Sequence, residues 1–186
     1  MATVSRRDFI KGAAAAGAAG AIAPALVASE ARADGPPNII LICSDDQRAD
    51  ELWPMTKTLN RLVSQGTTFS NFVVSRPVCQ PSRASFLTGQ FPHNHKVGNN
   101  ADAAGDTLMN STNLLPTWLQ NAGYYTVAIG KVLNSFSADD PVPPGWDDWQ
   151  AAADAGNHTN WVLNDNGTIV NGTRYLEDEY AARAET

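Results

Sequence analysis

Histidine, cysteine and strongly apolar runs are all scarce in this chain of 186 residues. Its two cysteines, Cys43 and Cys79, can close at most one disulfide, so a bridge-dense secreted scaffold is excluded. Three histidines are too few, and too scattered, for a histidine-rich zinc site: His93 and His95 form a pair with no third ligand in pattern. A membrane-spanning helix needs about 20 apolar residues. The one extended apolar stretch, residues 12–28, is rich in alanine and glycine and contains Pro24, so no integral membrane segment is expected. Basic residues are the minority, 13 Lys and Arg against 19 Asp and Glu, for a formal charge of −6. That balance argues against non-specific binding to nucleic acid or anionic membrane. It leaves room for a small anionic substrate, because affinity there is decided by a local group of cations.

What is present begins at the N-terminus. Ser5-Arg6-Arg7-Asp8-Phe9-Ile10-Lys11 is a twin-arginine pattern, and Ala31-Arg32-Ala33 has the small-x-small form of a signal-peptidase site. Residues 1–33 therefore read as a leader for export in a folded state, to the periplasm or the medium, with residues 34–186 as the mature part. Losing the leader removes four basic and two acidic residues and moves the formal charge to −8.

Beyond the leader no repeat is visible, and apolar segments alternate in type. Residues 38–43, Asn-Ile-Ile-Leu-Ile-Cys, read as a strand buried on both faces, with Cys43 as a small buried hydrophobe. A helix is expected over 56–65 with Gly66 as its stop, and a second strand over 67–74. Pro81 and Ser82 open a helix that Gly89 closes, and another follows over 116–121. A third strand is expected over 124–129, broken by Gly130. Residues 135–150 read as a loop of prolines and tryptophans, Asn164-Asp165-Asn166-Gly167 as the turn of a β-hairpin, and 175–183 as a helix. This alternation implies an α/β fold with a mostly parallel central sheet flanked by helices.

Chemistry concentrates at three places. Cys79 stands at the mouth of a helix, where unsatisfied N–H groups and the dipole favour an anion, and Arg83 adds a planar cationic fork. Asp45 and Asp46 are adjacent carboxylates at an expected strand end; they repel one another unless a cation intervenes, and oxygen donors suit calcium or magnesium. A solvated acidic loop is the plain alternative for that pair. Lys131 follows Gly130 at the end of the third expected strand. His93, His95 and Trp146 are further candidates for contact with substrate, with loop packing as the alternative for each.

The run from Cys79 through Gln80, Pro81, Ser82, Arg83, Ala84, Ser85, Phe86, Leu87 and Thr88 to Gly89 resembles the signature of the type I sulfatases, in the alkaline phosphatase-like superfamily. The resemblance implies that Cys79 is oxidised to formylglycine by a formylglycine-generating enzyme that reads Pro81 and Arg83. The aldehyde hydrate then attacks sulfur, holds a covalent sulfate and ejects it. It also implies that Asp45 and Asp46, with the modified Cys79, hold calcium or alternatively magnesium, and that Arg83 and Lys131 bind the sulfate. Residues 123–131 look like the second signature of the family. The run Gly130-Lys131-Val132-Leu133-Asn134, the stretch from Pro92 to Asn100 and the loop from Pro144 to Trp149 are similar to the branch acting on N-acetylglucosamine 6-sulfate and heparan. Leu133 stands where many members carry a histidine.

The implied activity is hydrolysis of sulfate monoesters, with a sulfated carbohydrate or another sulfate ester as substrate. A phosphate or phosphonate monoester hydrolase with the same site is the alternative, as is an inactive fragment that only binds anions. Members of the family are usually much longer, and residues 34–186 are expected to be the N-terminal part of a catalytic domain.

Overall fold

The computed structural model describes residues 35–153 and 157–186, so the leader expected over 1–33 lies outside the described residues. The chain divides into two units, residues 1–43 and 44–186. In the described part of the first, residues 35–43, no strand forms over 38–43, and Ile39, Ile40, Leu41 and Ile42 are exposed. β-Branched composition makes a strand possible, but only a paired neighbour makes one, and no ladder includes these residues. Cys43, expected to be buried, is exposed, and no disulfide joins it to Cys79.

The second unit opens with a short helix, α1 (Thr56–Thr58), which widens into a π-helical turn (Leu59–Val63) within the span expected to be helical. Residues 67–74 form no strand, and Phe69, Phe72 and Val73 are exposed. Four further helices follow: α2 (Cys79–Thr88), α3 (Pro92–His95), α4 (Ala104–Met109) and α5 (Leu115–Asn121). Proline stands in the first turn of α3 and of α5, where a missing N–H costs nothing.

The sheet has four strands in sequential order: β1 (Val127–Gly130), β2 (Asp148–Ala152), β3 (Trp161–Asp165) and β4 (Thr168–Gly172). β1 and β2 are parallel, whereas β2–β3 and β3–β4 are antiparallel, so the α/β class holds but the described sheet is only partly parallel. β3 and β4 make the expected hairpin. Asn166 and Gly167 both have positive φ (51° and 86°), the conformation that suits a tight hairpin and that Asn-Gly adopts readily.

β2 falls in the segment that reads as a loop. Its burial nonetheless alternates at first, with Trp149 and Ala151 inside and Asp148 and Gln150 half-exposed, as a strand requires. Trp149 is fully buried, with Phe136 edge-on at 5.2 Å and Trp146 tilted at 5.7 Å. Leu87, Met109, Leu114 and Leu133 join this core, so α2 packs where β1 and β2 run together. Asp147 fixes the start of the parallel pair: its Oδ2 accepts from the Thr126 N–H at 2.8 Å and its Oδ1 from Gln120 at 2.8 Å.

The last helix, α6 (Leu176–Ala184), has Glu177, Asp178 and Glu179 in its first turn and Arg183 in its last, the order that suits its dipole. Arg183 donates to Glu179 at 2.8 Å and Asp165 at 2.7 Å, tying the helix to the hairpin. The Tyr180 ring lies against Gly130, where a Cβ would stand 3.3 Å from Cε2, and Gly130 has φ +96°. Both facts demand glycine at the exit of β1. Gly130→Ala should lower the free energy of unfolding by about 1–3 kcal/mol, read from the urea midpoint; an unchanged midpoint would contradict this account of the turn.

Candidate functional site

α2 begins at Cys79, two residues earlier than the proline suggests, because Val78 is extended (φ −138°, ψ 137°) and serves as its N-cap. Cys79 thereby occupies the first position of the helix, half-buried, while Pro81, Arg83, Ala84, Leu87 and Thr88 are buried beneath it. From β1, the turn at Gly130 delivers Lys131, whose Nζ lies 2.5 Å from Asp45 Oδ2. Arg83 reaches the same place from below. One arm of its guanidinium donates to the Lys131 carbonyl, and Nη2 lies 3.9 Å from Asp45 Oδ2.

Asp45 is thus the meeting point of helix and strand. Partial burial disfavours its charge, but hydrogen bonds from Lys131 and Cys79 and the charges of Lys131 and Arg83 outweigh that, holding its carboxyl below the usual carboxylate range. Asp46 follows with φ +52°, a left-handed conformation that aspartate tolerates better than most residues. Donor atoms of Asp45, Asp46 and Cys79 lie within 4.8 Å of one another. Two oxygens on opposite sides of one calcium ion, each bonded at about 2.4 Å, are separated by about that distance. The spacing therefore fits a single ion. The chemistry of the set fits in part: two carboxylates suit a hard cation, whereas a thiol does not. An oxygen at the end of side chain 79 would complete an all-oxygen set.

The other three candidates make contacts of their own. His95 is buried; its Nδ1 accepts the Val97 N–H at 3.1 Å, and its Nε2 is 3.1 Å from Ser85 Oγ. Both ring nitrogens are engaged in holding α2 to the loop after α3. His93 is exposed and stacks on Phe91 with centroids 5.9 Å apart. Trp146 is half-buried and packs against the core that holds Trp149. The reading from sequence passed over Gln80, which is fully buried. No local signal marks it, because its amide is met by carbonyls 19 and 22 residues away.

Against known families, residues 37–186 match the model described as Sulfatase. The chain belongs to the sulfatase family. Among curated sulfatase relatives, it is 35% identical to the putative extracellular sulfatase Sulf-1 homolog of Caenorhabditis elegans, covering 86% of this chain and 23% of that protein. It is 37% identical to the N-acetylglucosamine-6-sulfatase of Homo sapiens, covering 76% of this chain and 28% of the relative. A solved structure, BT4656 in complex with its substrate D-glucosamine-2-N,6-O-disulfate, aligns with TM-score 0.59 and 28% identity over 69% of this chain and 25% of that one. This sulfatase-family chain therefore spans about a quarter of the length of these relatives. Residues 3–23 match the twin-arginine translocation pathway signal sequence, which marks the chain for export by that route. Among the described residues, no helix is long and apolar enough to cross a membrane.

The burial of His95 yields a pH dependence. Burial, helped by the charge of His93 and opposed by a backbone hydrogen bond, pushes its pKa below the ordinary 6.5. The unfolded chain therefore takes up a proton near that pH which the native state refuses, and stability falls with pH below it. The melting temperature should drop between about pH 7 and pH 5, and His95→Asn, which keeps an acceptor for the Val97 N–H, should flatten that drop. Equal slopes in the two proteins would rule out this origin.

Proposed function

We propose that the chain carries the nucleophile and the anion-binding part of a metal-dependent sulfuric ester hydrolase, acting on sulfated sugars of the N-acetylglucosamine 6-sulfate type. One observation carries the reading. Two carboxylates, a cysteine at a helix start and two cations from different elements converge on one spot, Asp45 Oδ2 being shared by Lys131 and Arg83. The names of the relatives, sulfatases of extracellular and glucosamine-6-sulfate type, support the substrate class.

In this reading residues 1–33 are the leader and residues 34–186 belong to the N-terminal part of the catalytic domain. Asp45, Asp46 and the modified Cys79 hold calcium, with magnesium as the alternative; the ion supplies positive charge against which a sulfate oxygen is polarised. Converted to formylglycine by a generating enzyme that brings the two-electron oxidant, side chain 79 would supply a hydrated aldehyde hydroxyl that attacks sulfur as the sulfur–oxygen bond to the sugar breaks and the alcohol leaves.

The chain's own residues do the rest. Arg83, fixed through the Lys131 carbonyl, presents its remaining N–H groups to an oxyanion without having to reorganise. Lys131 offers a point charge on a backbone held by Gly130 and Tyr180. Low proton affinity at Asp45 keeps it an anion, ready for a cation across the neutral and mildly acidic range. His93 and Trp146 are assigned to the sugar side, and His95 to supporting α2 beneath it.

In the full-length enzyme, Cys79→Ala should lower turnover of a sulfate monoester by at least about a thousandfold. The peptide containing Cys79 should show the mass loss of conversion to aldehyde. The same assays on the phosphate monoester of the same alcohol decide the chemistry: strong preference for phosphate, or full activity with an unmodified thiol, would overturn the reading.

A further inference from the structure

Gln80, the residue between the cysteine and the proline, has its whole side chain buried. Its carboxamide is fully used. Oε1 accepts the Ser135 N–H at 2.8 Å, while Nε2 donates to the Asp102 carbonyl at 3.0 Å and to the Asn99 carbonyl at 3.4 Å. Its backbone N–H, one of the unsatisfied donors of the first turn, is taken by Asn100 Oδ1 at 2.9 Å. The receiving loop is itself braced: Asp102 accepts from the Gly98 N–H at 2.9 Å and the Ala104 N–H at 3.2 Å. Gly105 leaves room for the amide, since a Cβ there would stand 2.6 Å from Nε2.

These bonds join the first turn of α2 to two separate segments, residues 99–102 and the chain four residues beyond Lys131. A second tie, Arg83 to the Lys131 carbonyl, joins the same helix to the same strand exit one turn later. A helix fixed at two points a turn apart can neither slide nor rotate. We propose that Gln80 is a positioning residue that sets where side chain 79 stands relative to Asp45 and Lys131. The proposal rests on the sulfatase reading for its kinetic consequence but not for its geometry.

The test uses the full-length chain carrying Cys43→Ser and produced without the formylglycine-generating enzyme, so that residue 79 remains a thiol. Its alkylation by iodoacetamide is followed by mass spectrometry. Gln80→Met keeps the volume and removes the side-chain hydrogen bonds; it should change the alkylation rate at Cys79 by at least about fivefold. Asn164→Leu is the control. That amide is equally buried and also makes three hydrogen bonds, to the Ala138 and Asp140 carbonyls and from the Gly167 N–H, but these tie the hairpin to residues 138–140 rather than to α2. It should lower the melting temperature comparably and leave the Cys79 rate unchanged. In enzyme with converted residue 79, Gln80→Met should lower kcat by about 10–100-fold with KM within about twofold, at equal aldehyde content. Should the methionine variant not fold, Gln80→Glu, of the same shape, carries the same comparison. Equal rates at Cys79 in parent and Gln80 variant, or an equal shift in the Asn164 control, overturns the proposal. A shifted alkylation rate, together with parent enzyme whose residue 79 is converted to aldehyde and still leaves sulfate esters intact, upholds Gln80 and overturns the sulfatase reading instead.

Discussion

Arg83 is a cation with only 7% of its surface exposed, and a buried charge persists only where its hydrogen bonds are met. Here the Lys131 carbonyl accepts one of them, and the facing carboxylate of Asp45, 3.9 Å from Nη2, balances the charge. The requirement runs in both directions. β1 must end in a turn that leaves the Lys131 carbonyl open to α2, which Gly130 permits, and α2 must present its first turn to that exit. Removing the guanidinium would leave Asp45 with one cationic partner fewer and release the helix from the strand. Fold and site are joined through this contact, and the packing of Leu87 against the Trp149 core is its apolar counterpart.

Charge balance at the site follows from the same contact. Two adjacent carboxylates would repel, yet the first is stabilised by Lys131 and Arg83 from two different elements. The second has a left-handed backbone, and donor atoms of the two lie within 4.8 Å of one another, close enough to share one cation. Such an arrangement is costly for a structural ion pair, since three charged side chains are held close for little net gain.

Much of this was legible in the sequence, for reasons that differ by residue. Cys79, Arg83, Lys131 and the aspartates stood out through the resemblance of their short segments to a known family, whereas the contacts that join them span 48 and 86 residues and could not be read from spacing. The hairpin was announced by Asn166-Gly167, whose backbone conformation few other pairs adopt. What failed depended on partners distant in sequence. Residues 67–74 have the composition of a strand but no ladder, whereas Asp148–Ala152 has tryptophan and acidic residues in a proline-rich setting and pairs on both sides. Gln80 was illegible for a related reason, since its meaning lies in carbonyls 19 and 22 residues away.

The depth of α2 has a consequence in time. Pro81 is wholly enclosed and Arg83 nearly so; on the proposed reading, a modifying enzyme that identified Cys79 by these two neighbours would have to meet the polypeptide while it is still extended. Docking of the helix closes that window. On that reading, maturation of side chain 79 would come first, collapse of the core second and passage through the twin-arginine translocon last.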